Sequence, residues 1–173
     1  AERLTRVLST SRYIGELMEW IPESVAWLES TESLRPPRTP QALEEEARAI
    51  QTRHDTILDA MRSVRALRRR ELLRTAMGAV LDVLTIDEVA AALTDITEAT
   101  IQAALRAVRR EVVPPEDDAL DFSVIAMGRF GGAELGFGSD ADVLFVYDAN
   151  GVDPQRAAQL SARIVAGLRE HLA

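Results

Sequence analysis

The amino-acid sequence predicts a mostly helical α+β chain, with a helical bundle over residues 1–115 and the first part of an α/β unit over residues 116–173. Three observations support this prediction. Apolar residues recur at helical spacing through the first part of the chain, most of the 9 glycines follow residue 115, and two short apolar runs after residue 120 have the composition of strands.

The first predicted helices begin at residues that often occupy helix starts. Ser11 can cap a helix with its hydroxyl, and Pro22 suits the first position of a short helix, where a backbone N–H has no partner. Residues 34–40 include two adjacent prolines, so they are predicted to form a linker. Thr39 and Pro40 then start a long helix, or a pair of helices, with one apolar stripe that continues to Leu73.

The next signals mark the change from helices to strands. Thr85 and Glu88 have the spacing of a capping box, which predicts a helix that continues to Val112 and ends before two prolines. Residues 122–127 and 143–147 are predicted strands because they are short, apolar and rich in β-forming residues. Residues 153–172 are predicted to form the last helix.

The composition excludes several classes of site. The chain has no cysteine, so thiol nucleophiles and disulfide frameworks are excluded. All 20 basic residues are arginine, and without lysine there can be no Walker-A loop and no Schiff base. The net charge of -8 disfavours nucleic-acid binding, which depends on phosphate neutralisation. No segment has the roughly 18 consecutive apolar residues of a membrane span or the start of a signal peptide, so we expect a cytoplasmic protein without a membrane partner.

A glycine-rich segment joins the two predicted strands. Its first glycines, at positions 128, 131 and 132, do not have the spacing of a dinucleotide-binding turn. Only about ten residues separate Gly132 from the second strand, whereas a parallel crossover through a helix needs about a dozen or more. The sequence therefore disfavours a dinucleotide-binding fold.

Two aspartates follow this glycine-rich segment. If Asp140 opens the second strand, Asp140 and Asp142 share one face of it, and two converging carboxylates repel unless a cation lies between them. Mg²⁺ prefers such oxygen ligands and commonly bridges to phosphates, and Gly138 and Ser139 would allow a phosphate to approach the backbone closely. The strand is apolar on both faces, which predicts a central, buried position. The spacing alone leaves a turn or capping role for the aspartates open.

The combined pattern of strand, glycine turn and aspartate pair resembles that of the polymerase-β-like nucleotidyltransferase superfamily. Residues 128–135 and 139–145 closely resemble the family of bifunctional glutamine synthetase adenylyltransferase/adenylyl-removing enzymes, and residues 11–14, 21–23 and 68–74 are similar to the same family. The resemblance implies that Asp140 and Asp142 are catalytic and bind Mg²⁺ and ATP. It also implies that the phosphates of ATP lie along Gly128, Arg129, Gly138 and Ser139. Arg129 stands where this family usually has lysine, which keeps the charge but changes its geometry.

The resemblance also implies a reaction and partners. The expected reaction is the transfer of AMP from ATP to a tyrosine of glutamine synthetase, and Gly136 favours this transferase half because the removing half tends to have asparagine there. Three alternatives stay open: removal of AMP by phosphorolysis, nucleotidyl transfer to RNA or a small molecule, and a helical docking module for glutamine synthetase or a PII-type signalling protein.

In the resembled superfamily, a third carboxylate comes from a later strand. The sequence stops in the helix after the aspartate pair, so we expect a nucleotidyltransferase domain truncated before its third acidic strand, and a fragment that is inactive alone.

Other prominent side chains have simpler interpretations. Six arginines between residues 62 and 74 are interpreted as a solvated helix face paired with acidic residues of the bundle rather than as a docking surface. Trp20 and Trp27 are predicted to lie in the bundle core or to form a terminal staple rather than a ligand site, and His54 is predicted to lie on the surface.

Overall fold

The computed structural model describes residues 1–35 and 38–172. Seven α-helices and two strands follow one another in these ranges: α1 (Glu2–Thr10), α2 (Arg12–Trp20), α3 (Pro40–Gln51), α4 (Ile57–Val80), α5 (Ile86–Val112), β1 (Asp121–Ala126), α6 (Gly128–Gly131), β2 (Val143–Asp148) and α7 (Pro154–Leu172). Short 3₁₀ helices occupy Pro22–Glu29, Glu32–Leu34 and Pro115–Asp117. The mostly helical α+β class predicted from the sequence is confirmed. Within the described ranges, no helix combines the length and apolarity needed to span a membrane.

Side-chain caps fix the starts of α2, α3, α4 and α5, and Asp153 caps α7 in the same way. The Ser11 hydroxyl accepts a hydrogen bond from the Ile14 N–H at 3.4 Å, and the Thr39 hydroxyl accepts one from the Ala42 N–H at 3.2 Å. Thr85 and Glu88 form the predicted capping box. The long helical pattern is divided between α3 and α4, and α4 has a cap of its own at Thr56. The two adjacent prolines of the predicted linker lie outside the described residues.

Two adjoining apolar clusters hold the chain together. The first joins α1, α2, α4 and α5, and it also contains Phe130 and Leu135 from the segment between the strands. The second joins α3, α4, α5, β1 and α7. Residues from both sides of position 115 therefore contribute to each cluster. The two-domain division at that position stays a prediction.

A network of charged side chains ties α3 to α4. The Glu71 side chain is only 3% exposed, and its carboxylate lies 2.9 Å from Arg70, 3.4 Å from Arg74 and 3.5 Å from Arg38. Glu46 on α3 pairs with both Arg38 and Arg70. Arg70 and Arg74 thus pair with acidic residues of the bundle, as interpreted from the sequence, but they are half-buried rather than fully solvated.

The predicted position of Trp20 in the bundle core is wrong. Its side chain is 77% exposed, because the core-facing stripe of α2 consists of Ile14, Leu17 and Met18, and residue 20 lies on the opposite side. Trp27 is partly buried against the first cluster, with the Arg74 guanidinium 4.8 Å from its ring centroid.

The two strands form an antiparallel sheet. The register runs from Asp121 opposite Asp148 to Ala126 opposite Val143, so the parallel crossover of a dinucleotide-binding fold does not occur here. One face packs on the second cluster through Phe122, Val124 and Phe145. The opposite face exposes three apolar side chains, Ile125, Leu144 and Val146. The prediction that this second strand is central and buried is wrong for the described residues, because β2 pairs only with β1 there and only one face of the sheet is covered.

Candidate functional site

The candidate site lies between the two strands, where the chain leaves β1 at Ala126 and returns to β2 at Val143. A single turn of helix, α6, follows β1 directly and forms the glycine turn. Its first hydrogen bond runs from the Gly131 N–H to the Met127 carbonyl at 2.9 Å. Among the described residues, the N–H groups of Gly128, Arg129 and Phe130 donate to no hydrogen bond. This leaves three backbone donors at the start of the turn.

Glycine is required at two positions of this turn. Gly128 has a φ of +52°, a conformation that residues with a Cβ rarely adopt, and a Cβ there would lie 3.2 Å from the Asp142 carboxylate oxygen Oδ2. At Gly131, an added Cβ would lie 2.7 Å from the Ala126 carbonyl oxygen. The glycines therefore allow the turn to lie against both the end of β1 and the Asp142 side chain.

The two predicted metal ligands lie just before β2 rather than at its opening. The Asp142 carbonyl accepts a hydrogen bond from the Met127 N–H at 2.9 Å, which extends the pairing of the strands by one step. Asp140 and Asp142 both precede the first residue of β2. Strand alternation therefore does not bring the two side chains to one face, in contrast to the prediction from the sequence. Both side chains are exposed. Asp142, beside Gly128, is the aspartate that the structure brings to the glycine turn.

A small turn of hydrogen bonds holds the approach to these aspartates. The Gly136 N–H donates to the Ser139 hydroxyl at 2.9 Å, and the Ser139 N–H donates to the Gly136 carbonyl at 3.0 Å. These bonds close residues 136–139 into a turn, which explains why Asp140 does not begin the strand. The Ser139 hydroxyl still has its own hydrogen to donate.

The other predicted phosphate-binding residues are placed differently. Gly138 lies in open space, since a Cβ there would meet no atom of the other described residues within 4 Å, its chain neighbours aside. Arg129 is exposed on α6, and it forms no ion pair with any described residue. Residues 128, 129 and 142 are thus near one another at the glycine turn. Gly138 and Ser139 belong instead to the turn of residues 136–139, the second turn.

No group of three or more acidic, histidine or cysteine side chains that could hold a metal occurs in residues 1–35 and 38–172. The donor set at the site consists of the exposed carboxylates of Asp140 and Asp142. That set fits Mg²⁺, which is often held by one or two carboxylates and completes its shell with water and substrate phosphates. It does not fit a metal site that needs a full cage of protein ligands.

Sequence reasoning missed two residues that hold the site in place. Phe130 and Leu135, which are 6% and 4% exposed, insert from the glycine-rich segment into the first apolar cluster. Their signal was present in the sequence as two large apolar residues within a segment otherwise rich in glycine. They anchor the site to the first apolar cluster, which joins α1, α2, α4 and α5.

Comparison with known proteins gives a consistent result. The family model for glutamate-ammonia ligase adenylyltransferase matches residues 1–173. Curated relatives named bifunctional glutamine synthetase adenylyltransferase/adenylyl-removing enzyme are 49% identical in Leifsonia xyli (97% of this chain), 41% in Cutibacterium acnes (99%) and 40% in Streptomyces coelicolor (99%). The chain spans 16%, 16% and 19% of the length of these relatives. The resemblance found in the sequence is therefore confirmed, and the chain belongs to the glutamate-ammonia ligase adenylyltransferase family.

Proposed function

We propose that the protein containing this chain transfers AMP from ATP to a tyrosine of glutamine synthetase. The single observation that carries the assignment of the site is the close approach of the glycine turn to Asp142, since a Cβ at Gly128 would lie only 3.2 Å from the carboxylate oxygen. Family membership supports the reaction class, because the relatives are named as enzymes that act on glutamine synthetase.

The residues of this chain would act mainly by binding and orientation. Asp140 and Asp142 would hold Mg²⁺, which neutralises phosphate charge and polarises the phosphorus centre when bound. The free N–H groups of Gly128 and Arg129 would donate to phosphate oxygens, and the exposed Arg129 guanidinium would add a positive charge. The Ser139 hydroxyl would donate a further hydrogen bond.

In the proposed reaction, the tyrosine oxygen forms a bond to the α-phosphorus of ATP. The bond from that phosphorus to the bridging oxygen of pyrophosphate breaks, the tyrosine hydroxyl releases its proton to water, and pyrophosphate leaves with the bonding electron pair. Fixing the triphosphate in line with the incoming oxygen is the contribution that this site can make.

Replacement of the aspartates tests this proposal. In the intact polypeptide, Asp140→Asn together with Asp142→Asn should lower AMP incorporation by at least about 100-fold, since groups that only orient metal ligands are already worth about 10- to 100-fold. Glu134→Gln is a matched control, because Glu134 is an exposed carboxylate of the same segment with no proposed role. Incorporation of AMP labelled at the α-phosphate into glutamine synthetase is the measurement. Normal transfer by the double variant would refute the assignment.

We assign the site to the transferase half on the presence of Gly136. The removing half would instead release ADP from adenylylated glutamine synthetase when inorganic phosphate attacks the phosphorus. A phosphate-dependent ADP assay on the same preparation distinguishes the two reactions. ADP release that is lost in the aspartate double variant would assign the site to the removing half.

We further propose that residues 1–173 alone transfer no AMP. The described part of the chain brings no third carboxylate to Asp140 and Asp142. AMP transfer by this segment above a metal-free control would contradict the proposal.

A further inference from the structure

A concave pocket lies beside the turn that leads to the two aspartates, and it has a volume of about 330 Å³. One wall comes from the start of α2 and the end of α4, and the other comes from the second turn. Its lining includes Tyr13, Ile14, Ala76, Val80, Phe137 and Gly138. The size and the mostly apolar lining are those of a small-molecule site.

Two aromatic side chains frame the pocket. The rings of Tyr13 and Phe137 are tilted by 59° with their centroids 6.3 Å apart, and the two residues are 41% and 44% exposed. Burial raises the pKa of Tyr13, so its hydroxyl stays protonated at neutral pH. Among the described residues, this hydroxyl makes no hydrogen bond. The pocket therefore offers exposed aromatic surface together with one available polar hydrogen.

The pocket is next to the proposed phosphate site. Gly138 is part of its wall and precedes Asp140 by two residues, a distance of about 7 Å at most along the chain. Apart from its two neighbours in the chain, no described residue has an atom within 4 Å of the position that a Cβ of Gly138 would take. A flat aromatic group in the pocket, joined through one sugar to a triphosphate, would bring its phosphates to the aspartates.

We propose that this pocket binds the adenine base of ATP, with Phe137 and Tyr13 as specificity-determining residues. The inference rests on the proposed function, since it places the base of the same substrate. Stacking on an aromatic side chain suits a nucleobase, because every base has a π-face. The Tyr13 hydroxyl can donate to a ring nitrogen. The aspartates and the pocket would thus bind opposite ends of one nucleotide.

Binding of ATP and of inorganic tripolyphosphate, both with Mg²⁺, tests the pocket in the intact polypeptide. Removing one stacking ring with Phe137→Ala should raise the Kd for ATP by about 5- to 150-fold and leave tripolyphosphate binding unchanged. Tyr13→Ala should act in the same direction, and Phe137→Tyr should keep affinity near that of the wild type. Trp20→Ala is the matched control, because Trp20 is an exposed aromatic residue of α2 outside the pocket.

Each other outcome has a distinct meaning. Unchanged ATP affinity in both alanine variants overturns the assignment of the pocket to adenine. The proposed function still stands in that case if the double variant Asp140→Asn, Asp142→Asn abolishes binding of both ATP and tripolyphosphate. Equal weakening of ATP and tripolyphosphate also overturns it, since the rings would then act through the phosphates. Weaker binding of glutamine synthetase alone would assign the pocket to the protein substrate instead. If the wild type binds neither ligand, the inference and the proposed function both fail.

Discussion

The glycine turn at the candidate site can be tested at Gly131. An alanine at this position would place its Cβ 2.7 Å from the Ala126 carbonyl oxygen and 3.1 Å from the carbonyl carbon. Ordinary carbon–oxygen contacts are about 3.3–3.6 Å, so α6 and the end of β1 would have to separate by about 0.6 Å or more. Both groups are backbone, and neither can move aside by a change of rotamer.

The expected cost follows from this overlap. Overpacking of this kind costs about 1–3 kcal/mol, and the better helix propensity of alanine recovers part of it. We therefore expect Gly131→Ala to lower the free energy of unfolding by about 1–2 kcal/mol. For a chain of this length, that change corresponds to a fall in Tm of about 2–8 °C. Because α6 carries Gly128, the spacing to Asp142 should also change, and ATP affinity should fall.

Gly132→Ala is the matched control. Its Cβ would lie 3.5 Å from the nearest atom, an ordinary contact, and Gly132 is the next residue of the same turn. Thermal unfolding by circular dichroism and an ATP titration are the two measurements. If Gly131→Ala is as stable as Gly132→Ala and binds ATP equally well, the close approach of α6 to β1 is not a constraint on the site.

Three further changes test the bundle. Burial alone would raise the pKa of Glu46, but its arginine partners hold the pKa below the ordinary value of 4.5, so Glu46→Gln should cost about 1–3 kcal/mol at pH 7. That cost should disappear as the pH falls through the lowered pKa, because the native carboxyl is then protonated too. Burial, together with the charge of Glu98, raises the pKa of Asp95 above 3.8. Asp95→Asn should therefore stabilise the fold by up to about 1 kcal/mol at pH 7 and give no gain below pH 3.8. Urea titrations across pH measure the effects of Glu46→Gln and Asp95→Asn. Thr85→Ala removes the cap of α5 and should cost about 1 kcal/mol at pH 7, and an unchanged urea midpoint would contradict the role of the cap.

The helix starts could be predicted because their causes are local. A hydroxyl at Ser11, Thr39 or Thr85 needs only a backbone N–H three residues later, and that spacing is visible in the sequence. The two strands could be predicted for the same reason, since alternation and composition act over a few residues. The short connection argued against a parallel crossover, and the structure shows an antiparallel pair.

The position of Asp140 could not be predicted because it depends on a competition. The segment before β2 can extend the sheet or close its own turn, and the bonds between Gly136 and Ser139 favour the turn. The exposure of Leu144 has a different cause. An apolar side chain indicates that a surface tends to be covered, but it does not say which part of the polypeptide covers it.

Side-chain packing connects the candidate site to the helical bundle. This bears on the alternative that the bundle is a separate docking module. Phe130 and Leu135 lie in the same apolar cluster as Ile14 and Met77, and the proposed base pocket lies between α2 and the second turn. A partner that shifted α2 would have to move these contacts, because close-packed side chains transmit displacement. We therefore expect a protein bound to the bundle to change ATP affinity even when it touches neither aspartate. Docking and catalysis would then be two properties of one packed unit, with Phe130 and Leu135 as the connection between them.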